Sequence, residues 1–80
     1  MLVPTVLRIG PWRFHFYSDE GSELVHIHVT DGSNSAKIWV DPVRLQYNRG
    51  FGQKDINTIV LAVQDNKAMI MEAWNDYFAN

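Results

Sequence analysis

The stretch Glu23 to Thr30, ELVHIHVT, constrains this chain more than any other. Val25, Ile27 and Val29 alternate with Leu24, His26, His28 and Thr30. That is the period-two pattern of a strand with one buried and one open face. The open face then presents two imidazoles, His26 and His28, roughly 6–7 Å apart between Cα atoms by strand rise. Side by side on a rigid strand they can ligate a metal, share a proton or grip a phosphate.

The flanking segments extend the pattern. Pro4 to Gly10 reads as a first strand, with Leu7 and Ile9 on one face and Val6 and Arg8 on the other. Gly10-Pro11 makes a turn. In Trp12 to Ser18, Trp12, Phe14 and Phe16 alternate with Arg13, His15 and Tyr17. Asp19-Glu20-Gly21-Ser22 and Asp31-Gly32-Ser33-Asn34-Ser35 are turn clusters. Ala36 to Asp41 is the fourth strand, where Ala36, Ile38 and Val40 oppose Lys37, Trp39 and Asp41. Pro42 ends it, Val43 to Asn48 reads as a short helical turn, and Arg49-Gly50-Phe51-Gly52 is a break. From Gln53 the period becomes helical through Ile56, Ile59, Val60, Val63, Ile70, Trp74 and Phe78, weakening at Asn66-Lys67, where one kinked helix or two abutting helices fit.

Short turns favour an antiparallel meander in the order 1-2-3-4. The expected fold is therefore α+β, ββββα in two layers, a four-stranded meander with one face covered by a C-terminal helix. One domain spans residues 1–80, with strands within 4–41, a connection over 42–52 and the helix over 53–78. Its polar face should gather Arg8, Arg13, His15, Tyr17, His26, His28, Lys37, Trp39 and Asp41. Hairpin geometry sets His15 opposite or diagonal to His26, and Arg13 near His28.

Composition narrows the chemistry. Eighty residues hold one core, and 46% apolar content marks a globular chain. The absence of cysteine removes disulfides, thiolate sites and thiol nucleophiles and fits a cytoplasmic setting. MLVPTVLRIG lacks the basic start and long apolar run of a leader, and no segment is long enough to span a membrane. Net charge is −2, but from Asp55 onward four acids accompany one base, so an anion site belongs to the first half.

Two readings of the histidines stay open. HxH with His15 or Asp41 could complete a zinc or iron site, although Arg8, Arg13 and Lys37 oppose a cation. The charges fit an anion better, so neither a metal nor another cofactor is expected. In that reading His26 and His28, with His15 beside them, exchange protons during phosphodiester cleavage. Arg8, Arg13, Lys37, Asp41 and Arg49 serve the substrate, and Trp39, like Tyr17, stacks bases. The plain alternative is a solvated strand face or a protein-docking surface, and for Trp39 and Tyr17 ordinary cross-strand packing.

PTVLRIGPWRFHFYS, HIHV, AKIWVDPVRL, NRGF and MEAWNDYF together resemble a family of very short bacterial proteins classed as a domain of unknown function. Its members typically read PTVLRIGPYRFFFYS, PPHIHV, AKFWLDPV and EAWNEYF. The matching positions are Arg8, Arg13, His26, His28, Lys37, Trp39, Asp41, Arg49, Trp74 and Phe78. The chain departs at Glu23-Leu24-Val25, where proline is usual, and at His15, where an aromatic is common. Such proteins often sit in two-gene units that look like toxin–antitoxin modules. The resemblance implies one half of such a pair, the toxin in preference to the antitoxin, with a small antitoxin-like protein as partner. RNA as a substrate and a homodimer are further expectations.

Overall fold

The computed structural model describes residues 4–79; Met1–Val3, part of the stretch read above for a leader, and Asn80 lie outside it. Five strands run in chain order, β1 (Thr5–Ile9), β2 (Trp12–His15), β3 (His26–Asp31), β4 (Asn34–Val40) and β5 (Val43–Arg49), followed by helices α1 (Gln53–Asp65) and α2 (Lys67–Phe78). All four neighbouring pairs are antiparallel in the order β1-β2-β3-β4-β5.

Three of the four connections are two-residue turns: Gly10-Pro11, Gly32-Ser33 and Asp41-Pro42. Among the described residues the Asp41-Pro42 peptide bond is cis. Register follows from these turns and from alternation. One row across the sheet reads Leu7, Phe14, Val29, Ala36 and Asn48; the row on the opposite face reads Thr5, His15, His28, Lys37 and Tyr47. His15 is thus opposite His28 and diagonal to His26, while Arg13 is opposite Thr30.

The apolar face forms the core. Phe14, Ile27, Val29, Ala36, Ile38 and Val40 pack with Phe51, Ile56, Ile59, Val63, Ile70 and Trp74. Each side chain of Leu or Ile size contributes on the order of 2 kcal/mol when fully buried, so this layer is the principal stabilising element.

The sheet has a strand more than the four expected, because Val43 to Asn48 is extended rather than helical. Val43, Leu45 and Tyr47 alternate with polar residues, but an irregularity between Lys37 and Ile38 pairs Leu45 with Ile38 and Tyr47 with Lys37, so Gln46 is extra. Pro42 occupies the turn and does not end the sheet. The helical region divides at Asn66, whose side-chain amide donates to the Ala62 carbonyl at 2.8 Å, competing with the helix ladder. No helix among the described residues is long and apolar enough to cross a membrane.

After β5 the chain reverses at Gly50, which has φ of 103°. A Cβ there would run into the Asn34 side-chain oxygen. Gly50→Ala is expected to lose about 1–3 kcal/mol in urea unfolding. Gly52→Ser, at the uncapped start of α1 with open space around it, should stay within about 0.5 kcal/mol of the parent or gain slightly.

Candidate functional site

The fourth connection builds the site. Ten residues, Phe16–Val25, join β2 to β3, and the strands expected to run to Ser18 and from Glu23 stop at His15 and start at His26. Two successive turns, closed by Glu20 N–H to Tyr17 O and Glu23 N–H to Glu20 O, fold this segment over the polar face. Gly21 lies so close to the Phe78 ring that a Cβ would collide with it, which seats the segment on α2.

The face expected to be open is therefore closed over the histidines, while Arg8 and Arg49 on the same face stay exposed. His26 is 0% exposed, His15 1% and His28 5%. Tyr17 sets its ring edge-on to His28 at 4.5 Å and to His15 at 5.0 Å. Trp39 and Trp74 wall His26 at 5.6 and 5.1 Å. Two imidazoles buried this completely need polar partners.

Glu20 supplies them. Its Oε1 lies 2.9 Å from His26 Nε2 and 2.8 Å from His28 Nε2, so one carboxylate oxygen serves both rings. His26 Nδ1 is 2.8 Å from the Leu24 carbonyl oxygen. A carbonyl only accepts, so Nδ1 carries a proton and the ring is held by its own strand approach. Glu23 adds a second carboxylate 4.0 Å from His26 Nδ1 and accepts a 3.0 Å hydrogen bond from Lys37 Nζ.

Burial works to raise the Glu20 pKa, but the hydrogen bonds from His26 and His28 outweigh it and hold the group below the usual carboxylate value. His28 is lowered, chiefly by burial, against the pull of Glu20. His15 is pushed down to about 4 by burial and by the charges of Arg13 and His28, against the pull of the Phe16 backbone and, more weakly, of Glu20. Its Nε2 lies 3.4 Å from the Thr30 hydroxyl, long for a hydrogen bond, and its Nδ1 has no partner.

The residues singled out in the sequence thus divide. His15, His26, His28, Lys37 and Trp39 share one neighbourhood. Lys37 is engaged there with Glu23 and lies over the Trp39 ring at 4.8 Å. Trp39 donates from Nε1 to Gln46 at 3.0 Å. Arg8 and Arg13 pair across β1 and β2 in another row, with Arg13 Nε donating to Thr5 at 2.7 Å. Arg49, opposite Ser35, lies over the Tyr47 ring. Asp41 sits at the β4–β5 turn and is ion-paired with Lys67 of α2 at 2.8 Å. The residue that sequence reasoning missed is Glu20, seen only as part of a turn cluster.

A family model described as Domain of unknown function (DUF4160) matches residues 12–75. The chain belongs to that family. The matched span takes in all of the closed site: Tyr17, Glu20, the two histidines of β3, Lys37, Trp39 and Trp74. No curated protein and no solved structure matches the chain.

The three shifted groups act on stability in one direction. A histidine lowered on folding binds its proton more readily in the unfolded chain, so stability is complete above the unfolded pKa near 6.5 and falls as pH drops towards the folded value. The depressed Glu20 carboxylate likewise loses its contribution as it is protonated. His15→Phe removes one of these groups together with its unpartnered nitrogen. It should raise stability by about 1 kcal/mol at pH 7, and the loss between pH 6.5 and 4 should shrink by on the order of 2 kcal/mol, both read from urea unfolding.

Proposed function

We propose that this chain is the protein-binding member of a bacterial two-gene module of the toxin–antitoxin kind. It acts by holding an extended acidic segment of a second small protein along the outer edge of β5. The module setting rests on the family resemblance, and the mode of action on β5. That strand is seven residues long, and among the described residues no other strand pairs with its outer edge. An unpaired edge is a template for strand addition.

Its side chains fit the occupant. Leu45 is 39% exposed and lines a groove with Ile56, Val60 and Leu61, Leu61 being 58% exposed. Arg44 and Arg49 are exposed on the same strand, which carries no acidic residue. A second β5 would bring arginines towards arginines, and the Gln46 bulge disturbs regular self-pairing, so a heterologous acidic strand suits this edge better.

RNA cleavage through His26 and His28 is disfavoured by their enclosure, since a phosphodiester would reach them only after Tyr17–Val25 withdrew from the sheet. One experiment separates the readings. The chain is expressed inducibly with and without the candidate small partner that the two-gene reading calls for, following growth, complex formation and total RNA. A stoichiometric complex with intact RNA is expected. Leu45→Glu/Leu61→Glu should weaken that complex at least about tenfold with an unchanged circular dichroism spectrum. RNA loss that disappears in His26→Ala/His28→Ala would replace this reading with a nuclease, and a complex indifferent to Leu45 and Leu61 would remove the β5 edge from it.

A further inference from the structure

We propose that Glu20, His26 and His28 form a binding site for one divalent first-row transition-metal ion, with zinc as the representative case. One donor atom from each residue, two imidazole nitrogens and a carboxylate oxygen, lies within 4.8 Å of the others. Two histidines and one carboxylate are a known donor set for zinc and for non-haem iron.

Hydrogen-bond chemistry leads to the same point. With Nδ1 donating to Leu24, His26 either carries a second proton on Nε2 for Glu20 or turns the Nε2 lone pair towards it. A lone pair 2.9 Å from a carboxylate oxygen is repelled unless something positive lies between them. The second imidazole Nε2 meets the same oxygen at 2.8 Å. Extra protons can satisfy the cluster, but so can a cation where the three donors converge. Metal–nitrogen and metal–oxygen bonds of about 2.0–2.2 Å put neighbouring donors roughly 3 Å apart, which the two nitrogen–oxygen distances already meet, while the two imidazole nitrogens, within 4.8 Å of each other, would draw together on binding.

The surroundings match what a metal-bound histidine requires. A backbone carbonyl on the far nitrogen fixes the tautomer and aims the ring, as Leu24 does for His26. Tyr17, Trp39 and Trp74 supply an apolar wall. The electrostatic objection from the basic residues is met locally. Lys37 is neutralised by Glu23, leaving the Glu20 carboxylate for the ion, and Arg8 and Arg13 stand in a different row. Glu20 keeps 20% of its side chain exposed, which provides a route inwards from the Tyr17–Val25 segment. Three protein donors leave a further coordination position for water or a small anion.

The test is titration of zinc chloride into chelator-treated full-length chain at neutral pH, followed by calorimetry and thermal unfolding. One saturable equivalent is expected, and at a hundredfold excess over Kd the midpoint of unfolding should rise by on the order of 10 °C. The near-isosteric Glu20→Gln and His28→Gln should weaken binding by at least roughly a hundredfold. Glu23→Gln and His15→Phe, neighbours outside the donor set, should change it only a few-fold. Absence of saturable binding, or equal binding by the parent and Glu20→Gln, overturns the site. Should the site variants fail to fold, nitrogen-15 spectra of the parent chain decide. Zinc should shift Nε2 of His26 and His28 and leave the His15 nitrogens in place; a uniform response of all three rings, or none, overturns the proposal equally.

Discussion

The contact on which this architecture depends is a single carboxylate oxygen held by two buried imidazoles. Two rings taken out of water on adjacent same-face positions of a strand would be costly without partners. Leaving either nitrogen unpaired would cost about 1–3 kcal/mol. Glu20 offsets both at once, at 2.9 and 2.8 Å. Because Glu20 comes from the long β2–β3 connection, satisfying the rings also fixes the course of ten residues. That segment in turn seats Gly21 on Phe78, and Trp74 contacts both Phe16 and His26. The second helix, the connection and the sheet are therefore joined through one polar contact and the aromatic rings around it.

The two faces of the sheet were legible to different degrees for a physical reason. Alternation reports which residues share a face, and it grouped Phe14, Ile27, Val29, Ile38 and Val40 apart from Arg13, His15, His26, His28, Lys37 and Trp39 as the structure does. Whether a face is covered depends on distant chain, which alternation does not report. Tyr17 continued the pattern of Trp12 to His15, so the strand was read through it, whereas the turns at Tyr17–Glu20 and Glu20–Glu23 carry it back over the histidines. Glu20 looked like one more turn residue because only the folded connection reveals what its carboxylate meets. Its adjacency to two histidines spaced for one strand face was the available signal. The fifth strand was obscured differently: the Gln46 bulge shifts the period after Leu45, and a proline in a two-residue turn resembles a terminator.

Charge, too, changed meaning with position. In the sequence, Arg8, Arg13, Lys37 and Arg49 look like one basic patch around the histidines. In the fold, Lys37 is neutralised by Glu23, Arg13 is turned towards Thr5, and Arg49 lies on Tyr47 three strands away from His15. The anion site inferred from composition therefore has no single locus. What the arrangement concentrates beside His26 and His28 is carboxylate, from Glu20 and Glu23.

The enclosed cluster and the open edge are tied through the same strand pair. Trp39 stands opposite His26 on one side and Arg44 on the other, and its indole N–H donates to Gln46, the bulged residue of β5. The bulge is thus held by a residue whose other neighbour is the buried histidine. An indole in that position serves two requirements: it excludes water from the imidazole, and it fixes the irregularity that keeps the β5 edge from pairing regularly with a copy of itself. A smaller side chain at 39 would leave His26 wetter and Gln46 unheld together. The unusual tryptophan on the polar face follows from the two demands meeting at one site, and stacking on a nucleic-acid base is not needed to explain it.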